Sequence, residues 1–102
     1  MNRTLSILGL ASLLAFSGTA SAGGDVDAGK AKAGPCAGCH GPSGEGNTSN
    51  PKLAGMAEDK FVQALNEYKT GARKHAAMKA FASKLNEQDV ANLAAYYSSL
   101  KQ

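Results

Sequence analysis

The sequence predicts an all-α domain, because its apolar residues follow helical spacing and no stretch alternates apolar and polar residues as a strand would. Two segments place apolar residues at positions i, i+3, i+4 and i+7, which lie on one face of a helix. The two sets are Phe61, Ala64, Leu65 and Tyr68, and Val90, Leu93, Ala94 and Tyr97.

The first of these segments predicts a helix from about Glu58 to Thr70. The carboxylates of Glu58 and Asp59 favour the N-terminal end of a helix, where the backbone dipole is positive. Gly71 follows the last turn and favours termination, because glycine readily adopts left-handed backbone angles.

The second segment predicts a final helix from about Glu87 to Leu100. Asn86 is a favoured N-cap residue, and Asp89 follows three residues later, where its carboxylate can bond back to the cap in a variant of the capping box. These two residues define the start of the helix.

The part of the chain before these helices is richer in glycine and turn formers. A short helix is expected from Asp25 to Lys32, and Gly24, Gly29 and Gly34 would permit close packing there. Residues Gly41 to Pro51 include almost no apolar side chain, so they predict a loop.

Residues 1 to 22 predict a cleaved export signal. Arg3 precedes an apolar run from Leu5 to Phe16, and Ala20-Ser21-Ala22 forms a small-x-small cleavage site. The apolar run is shorter than the roughly 20 residues that a membrane helix needs, so no stable membrane insertion is expected. Cleavage would leave one domain, residues 23 to 102, in the periplasm.

Charge and size exclude some classes of function. The sequence has 11 Lys and Arg against 8 Asp and Glu, and loss of Arg3 with the signal leaves ten against eight, a net charge of +2. So small a charge argues against binding to nucleic acid or to a membrane surface. The exported chain of 80 residues has no Trp, and a bound cofactor would supplement its small core.

The run Cys36-Ala37-Gly38-Cys39-His40 contains both cysteines of the chain and has the spacing for covalent haem attachment. Two thiols three positions apart can add to the two vinyl groups of a porphyrin, and the adjoining imidazole then reaches the iron. The run therefore predicts one covalently bound haem c, with Cys36 and Cys39 binding the ring and His40 binding the metal.

Three other chemistries use similar cysteine pairs and fit this chain less well. A structural zinc site needs four ligands, and beyond the motif the only conventional nitrogen or sulfur candidate is His75, which lacks the paired spacing that zinc ligands usually show. A thioredoxin-like pair lies between a strand and a helix of a parallel sheet, and no strand pattern surrounds these cysteines. A disulfide would close a very short ring and add little stability.

The sixth iron ligand distinguishes an electron carrier from a ligand-binding haem protein. Met78 lies 38 residues after His40, which is far enough for the chain to pass around the ring. Met56 lies only 16 residues after His40 and would need a tight return. His75 is one helical turn from Met78. Spacing favours Met78 and leaves His75, Met56 or an open site as alternatives.

Further motifs follow the cysteine motif in order. They are Pro51-Lys52-Leu53-Ala54-Gly55, Tyr68-Lys69-x-Gly71-x-Arg73, Met78, and Leu85-x-x-x-Asp89-x-x-x-Leu93-Ala94-x-Tyr96. Together with Cys36-x-x-Cys39-His40, these motifs resemble those of small bacterial class I c-type cytochromes, and the likeness covers residues 25 to 100.

The resemblance implies a small cytochrome c fold, in which three to five short helices wrap around one covalently bound haem. It implies thioether bonds at Cys36 and Cys39, with His40 as the proximal ligand and Met78 as the distal ligand. It also implies that the backbone carbonyl of Pro51 accepts a hydrogen bond from the haem histidine, which orients the imidazole.

The expected function is that of a soluble periplasmic electron carrier, not an enzyme, which docks transiently with membrane respiratory complexes or soluble reductases. The alternatives are a haem-based binder of small ligands or weak peroxidase with a labile sixth ligand, and a dedicated electron-entry subunit of a larger redox enzyme. Arg73 is expected near a haem propionate. Lysines that could surround the haem edge and steer acidic partners are Lys52, Lys69, Lys74, Lys79 and Lys84.

Overall fold

The computed structural model describes residues 23–101, which form five α-helices and no strand. The helices are α1 Val26–Lys32, α2 Gly34–His40, α3 Glu58–Thr70, α4 Ala76–Ser83 and α5 Glu87–Ser99. The predicted all-α fold is confirmed, whereas the predicted export signal lies outside the described residues. None of these five helices has the length and apolar character of a membrane-spanning segment.

The helix ends follow the capping chemistry of the sequence. Asp25 is the N-cap of α1, and its side chain accepts hydrogen bonds from the backbone amides of Asp27 and Ala28. At α5, the Asn86 side chain accepts from Asp89 N at 2.7 Å and Asp89 accepts from Asn86 N at 3.1 Å, so the predicted capping box is confirmed. Gly71 ends α3 with a left-handed φ of 86°.

Two helices have no clear signal in the sequence. The cysteine motif itself forms α2, which has seven residues and begins with a proline in its first turn, a favourable position for that residue. The segment around Met78 forms α4, whose apolar residues are mostly alanines. Both helices are too short for apolar spacing to identify them. α4 packs on the longer α3, and α2 contacts α1, which also has seven residues.

The first and last helices cross at glycines. A methyl group on Gly24, just before α1, would overlap Ala91 O, and one on Gly29 would overlap Asn92 O, so the backbones are in direct contact. Gly34 is different, because an added methyl group would meet nothing within 4 Å. The packing role expected of these glycines is confirmed for Gly24 and Gly29 only.

The core lies between α3 and α5 and continues toward α2 and α4. Phe61 of α3 stacks on Tyr97 of α5, with ring centroids 5.6 Å apart. The buried residues of this cluster are Ala33, Leu53, Phe61, Leu65, Ala82, Val90, Leu93, Ala94 and Tyr97. Tyr97 is thus a core residue. Four other members of the cluster also line a cavity: Leu53, Phe61, Leu65 and Ala82.

The helix crossing predicts a large effect of one methyl group. Gly29→Ala should reduce the free energy of unfolding by about 1–3 kcal/mol, because the new methyl group forces the α1 and α5 backbones apart. Gly34→Ala is the matched control and should be neutral or stabilising by up to about 1 kcal/mol, the helix preference of alanine over glycine. Urea unfolding of the haem-loaded protein measures both; equal stability of the two variants would contradict the close crossing.

Candidate cofactor site

A cavity of about 250 Å³ lies between α2, α3, α4 and the segment that follows α2. This volume is several times the ~30 Å³ share of one water molecule, so the cavity has room for an organic group. All four residues predicted to hold a haem line it, namely Cys36, Cys39, His40 and Met78. The rest of the lining is mainly apolar, with Phe61, Leu65 and Leu85 among its members.

Helix α2 brings the two cysteines to the cavity together. Their separation of three residues places Cys36 and Cys39 side by side on the helix surface. Both are free thiols; Cys39 is exposed and Cys36 is partly buried. Burial raises the pKa of the Cys36 thiol, and a hydrogen bond with the Tyr97 side chain offsets part of this rise. The two sulfurs are unlinked and can both bind one ring.

His40 is the buried polar group of the cavity, with 6% of its surface exposed. Its Nδ1 lies 2.7 Å from the backbone oxygen of Pro51. A carbonyl only accepts, so Nδ1 carries the hydrogen and the lone pair is on Nε2. No group of residues 23–101 hydrogen-bonds to Nε2. A buried, unpartnered basic nitrogen fits a metal ligand, and the Pro51 contact is confirmed.

The loop after α2 folds back on the end of that helix and brings Pro51 to His40. Gly46 N donates to His40 O at 2.7 Å. The side-chain amides of Asn47 and Asn50 both donate to Cys39 O, at 2.9 and 3.1 Å. These bonds satisfy carbonyls that the last turn of a helix leaves free. The loop therefore fixes the position of the Pro51 carbonyl.

Asn47 organises this loop from within. Its side-chain oxygen accepts from Ser49 N at 2.8 Å and from Asn50 N at 2.9 Å, while its amide binds Cys39 O. Sequence reasoning did not identify Asn47 as a site residue. The available signal was its place in a run of turn formers, because asparagine side chains often bond to backbone amides two or three residues ahead.

All three candidates for the sixth ligand line the cavity. Met78 lies on α4 and is partly buried, and Met56, also partly buried, precedes α3. His75 is exposed and stands at the N-cap of α4, where its Nδ1 accepts from Met78 N at 3.2 Å. His75 and Met78 thus face the same cavity. No three His, Cys, Asp or Glu side chains of residues 23–101 gather as a metal site.

Two cationic residues have partners within the protein. Arg73 lines the cavity, but its guanidinium binds Glu67 at 2.8 Å and lies 5.3 Å from the centre of the Tyr68 ring. Lys69 is partly buried, and its ammonium donates to the backbone oxygen of Leu85. Lys69 is therefore a structural residue. The other lysines proposed to surround the cavity are exposed: Lys52, Lys74, Lys79 and Lys84.

The profile of the family described as Cytochrome c matches residues 26–101 of this chain. The chain belongs to the cytochrome c family. The expected fold is thus confirmed as a small class I cytochrome c fold, and the cofactor is covalently bound haem c with its iron. The buried His40 nitrogen, the two free thiols and the apolar cavity fit this group.

Relatives of this cytochrome differ in length from it. It is 40% identical over 102 residues to cytochrome c4 of Pseudomonas aeruginosa, and the alignment covers 99% of this chain and 50% of that protein. It is 40% identical over 72 residues to the thiosulfate dehydrogenase electron acceptor of Thiomonas intermedia, across 69% of this chain and 33% of that one. The chain spans about half the length of the cytochrome c4 relatives it matches.

A solved structure of a cytochrome c4 also matches this chain. The crystal structure of reduced cytochrome c4 from Pseudomonas stutzeri superposes with a TM-score of 0.71 at 35% identity. The match covers 76% of this chain and 46% of the other. The helices of this cytochrome therefore belong to a fold already seen in cytochrome c4.

Asn47→Ala is predicted to weaken the loop that supports His40. It removes the hydrogen bonds to Cys39 O, Ser49 N and Asn50 N and should lower the free energy of unfolding by about 1–3 kcal/mol. Thr48→Ala is the control, because Thr48 is exposed and makes no side-chain hydrogen bond with residues 23–101. Urea unfolding of the haem-loaded variants measures the difference. A loop that does not depend on Asn47 would give the two variants the same stability.

Proposed function

We propose that this cytochrome is an electron carrier of the periplasm, not an enzyme, and that it passes single electrons through its haem c. Cys36 and Cys39 would bind the ring through thioether bonds, and His40 and Met78 would bind the iron. The observation that supports this most strongly is the buried His40 ring. Its Nδ1 donates to the Pro51 carbonyl at 2.7 Å, which leaves Nε2 as the ligand atom.

Met78 is the proposed sixth ligand for two reasons. It lies on α4, separate from the α2 wall that carries His40, so that α2 and α4 can supply one ligand each. The other candidates are less suited. The Nδ1 of His75 already accepts the Met78 amide. Met56 follows a turn in which its own backbone amide donates to Leu53 O at 3.1 Å, and the chain there has only a short path from His40.

The residues of the cavity favour simple electron transfer. When bound, haem c supplies an iron that gains or loses one electron. His40 is held by Pro51, which raises the basicity of the imidazole, and the Met78 thioether favours the reduced state. The apolar lining excludes water and lowers the local dielectric constant. Two protein ligands leave no open position for oxygen or peroxide, so the expected chemistry is a change of charge.

The proposed partners are redox proteins that dock transiently, either membrane respiratory complexes or soluble reductases. Four exposed lysines near the cavity could steer acidic partners: Lys52, Lys74, Lys79 and Lys84. Steering of this kind increases the association rate and is screened by salt. Neither nucleic-acid binding nor stable membrane insertion is part of the proposal.

A second candidate function is a dedicated electron-entry subunit of one redox enzyme. The likeness to the thiosulfate dehydrogenase electron acceptor of Thiomonas intermedia favours it. A carrier would exchange electrons with several partners and elute alone, whereas a subunit would co-elute with one enzyme. Size-exclusion chromatography of the native protein from its own cells separates the two possibilities.

The first prediction from this function concerns the sixth ligand. The purified ferric protein should show the weak far-red charge-transfer band of an iron–thioether bond, and the reduced protein should not bind carbon monoxide. Met78→Ala should lose the band, bind carbon monoxide and lower the reduction potential, because the thioether that favours ferrous iron is gone. Absorption spectroscopy and a redox titration measure these changes.

Met56→Leu is the control, because it removes a thioether at similar volume and should leave the spectra unchanged. If Met56→Leu instead abolishes the band, Met56 is the ligand. If the wild-type protein itself binds carbon monoxide readily, the sixth position is labile. The supported function would then be a haem-based binder of small ligands or a weak peroxidase, and not an electron carrier.

The second prediction concerns the exposed lysines. Electron transfer to an acidic redox protein should slow as ionic strength rises from about 0.01 to 0.15 M, over which the screening length falls from about 30 to 8 Å. Lys79→Gln, beside Met78, should reduce the low-salt rate several-fold. Lys30→Gln on α1 removes the same charge away from the cavity and should have little effect. Stopped-flow kinetics that show equal rates for both variants would exclude steering by Lys79.

A further inference from the structure

His75 begins the helix that carries Met78. It is the N-cap residue of α4, and its Nδ1 accepts a hydrogen bond from Met78 N at 3.2 Å. The first amides of a helix have no partner within the helix, so a side chain that accepts from one of them stabilises the first turn. For Nδ1 to accept, the neutral ring must carry its hydrogen on Nε2. One imidazole thus fixes the backbone of Met78.

The helix depends on this cap more than a longer helix would. α4 has eight residues, and no acidic side chain lies in its first turn to interact with the positive end of its dipole. Helices this short are marginal without packing or caps. Loss of the cap therefore directly affects the backbone position of Met78, three residues away.

The position of His75 is itself fixed by the connection between α3 and α4. Arg73 donates to Glu67 three times: through Nη2 at 2.8 Å, through Nε at 3.1 Å, and through its backbone amide to Glu67 O at 3.1 Å. The guanidinium covers the Tyr68 ring, and that ring meets His75 edge-on with centroids 6.1 Å apart. The last turn of α3 thus holds the connection and the ring of His75.

We propose that His75 is a positioning residue for the sixth iron ligand. Its ring caps α4 and holds the Met78 backbone so that the thioether faces the cavity. This inference rests on the proposed function, in which Met78 binds the iron. It assigns to His75 a role different from ligation. Iron binding through Nδ1 would use the atom that accepts from Met78 N, and iron binding through Nε2 would move the hydrogen to Nδ1, so either would release the Met78 amide.

The test is a titration of the ferric, haem-loaded protein with free imidazole, which binds the iron only when Met78 is detached. His75→Ala removes the cap, and His75→Asn keeps a favoured capping side chain without an imidazole. Cap removal should shift the Met78 equilibrium toward the detached state about fivefold. The apparent affinity for imidazole should then rise about fivefold in His75→Ala and stay near the wild-type value in His75→Asn.

The same substitutions in a Met78→Ala background separate positioning from changes in cavity shape. With the sixth position already open, removal of the His75 ring should leave imidazole affinity unchanged. A fivefold rise in this background as well would mean that the ring merely obstructs the added ligand, and would overturn the proposal.

Two further outcomes separate this proposal from the proposed function. If the wild type shows the iron–thioether band and His75→Ala binds imidazole no more tightly, Met78 is the ligand but His75 does not position it. If the wild type lacks the band, Met78 ligation fails and the role of His75 fails with it. Loss of the band in wild type at high imidazole and in His75→Ala at lower imidazole, with rescue by His75→Asn, is the expected result.

Discussion

The hydrogen bond between His40 Nδ1 and the Pro51 carbonyl is the constraint on which the site depends. It makes Nε2 the free basic atom of a buried ring, so the same contact sets the tautomer, the orientation and the basicity of the imidazole. A backbone carbonyl can do this only if the loop before it is fixed. The polar, turn-rich sequence from residue 41 to 51 serves that purpose, since Asn47 and Asn50 hold it to the last turn of α2.

The small size of the domain explains why the helices surround a cavity. The buried cluster is built mainly from α3 and α5, with Phe61, Leu93 and Tyr97 at its centre. The short helices α2 and α4 add few large apolar side chains, and their inner faces line the cavity instead. A covalently bound haem c supplies the apolar surface that these helices lack. The crossing of α1 and α5 through Gly29 joins the two ends of the domain.

Sequence reasoning was most successful where one residue type has one physical role. The long helices α3 and α5, the capping box at Asn86 and the cysteine motif follow from periodicity, capping and thiol chemistry. The contacts that arise from tertiary structure were not predictable in this way. Lys69 was grouped with the surface lysines, although its ammonium binds the Leu85 carbonyl. α2 and α4 carry too little apolar pattern to be recognised, and the cap formed by His75 depends on the fold of the α3–α4 connection.

The two walls of the cavity are stabilised unequally, and this has a consequence for function. The α2 wall is tied down by several short hydrogen bonds from the loop between residues 41 and 51 to the last backbone carbonyls of the helix. α4 packs on α3 through the buried Ala82, but its N-terminal end is held by the His75 cap and by the exposed pair of Arg73 and Glu67, and exposed ion pairs contribute little to stability. Local opening begins where stabilising contacts are fewest. The N-terminal end of α4 should therefore open before the α2 wall. If Met78 binds the iron as proposed, closure of this end decides whether the haem iron only exchanges electrons or also binds small molecules.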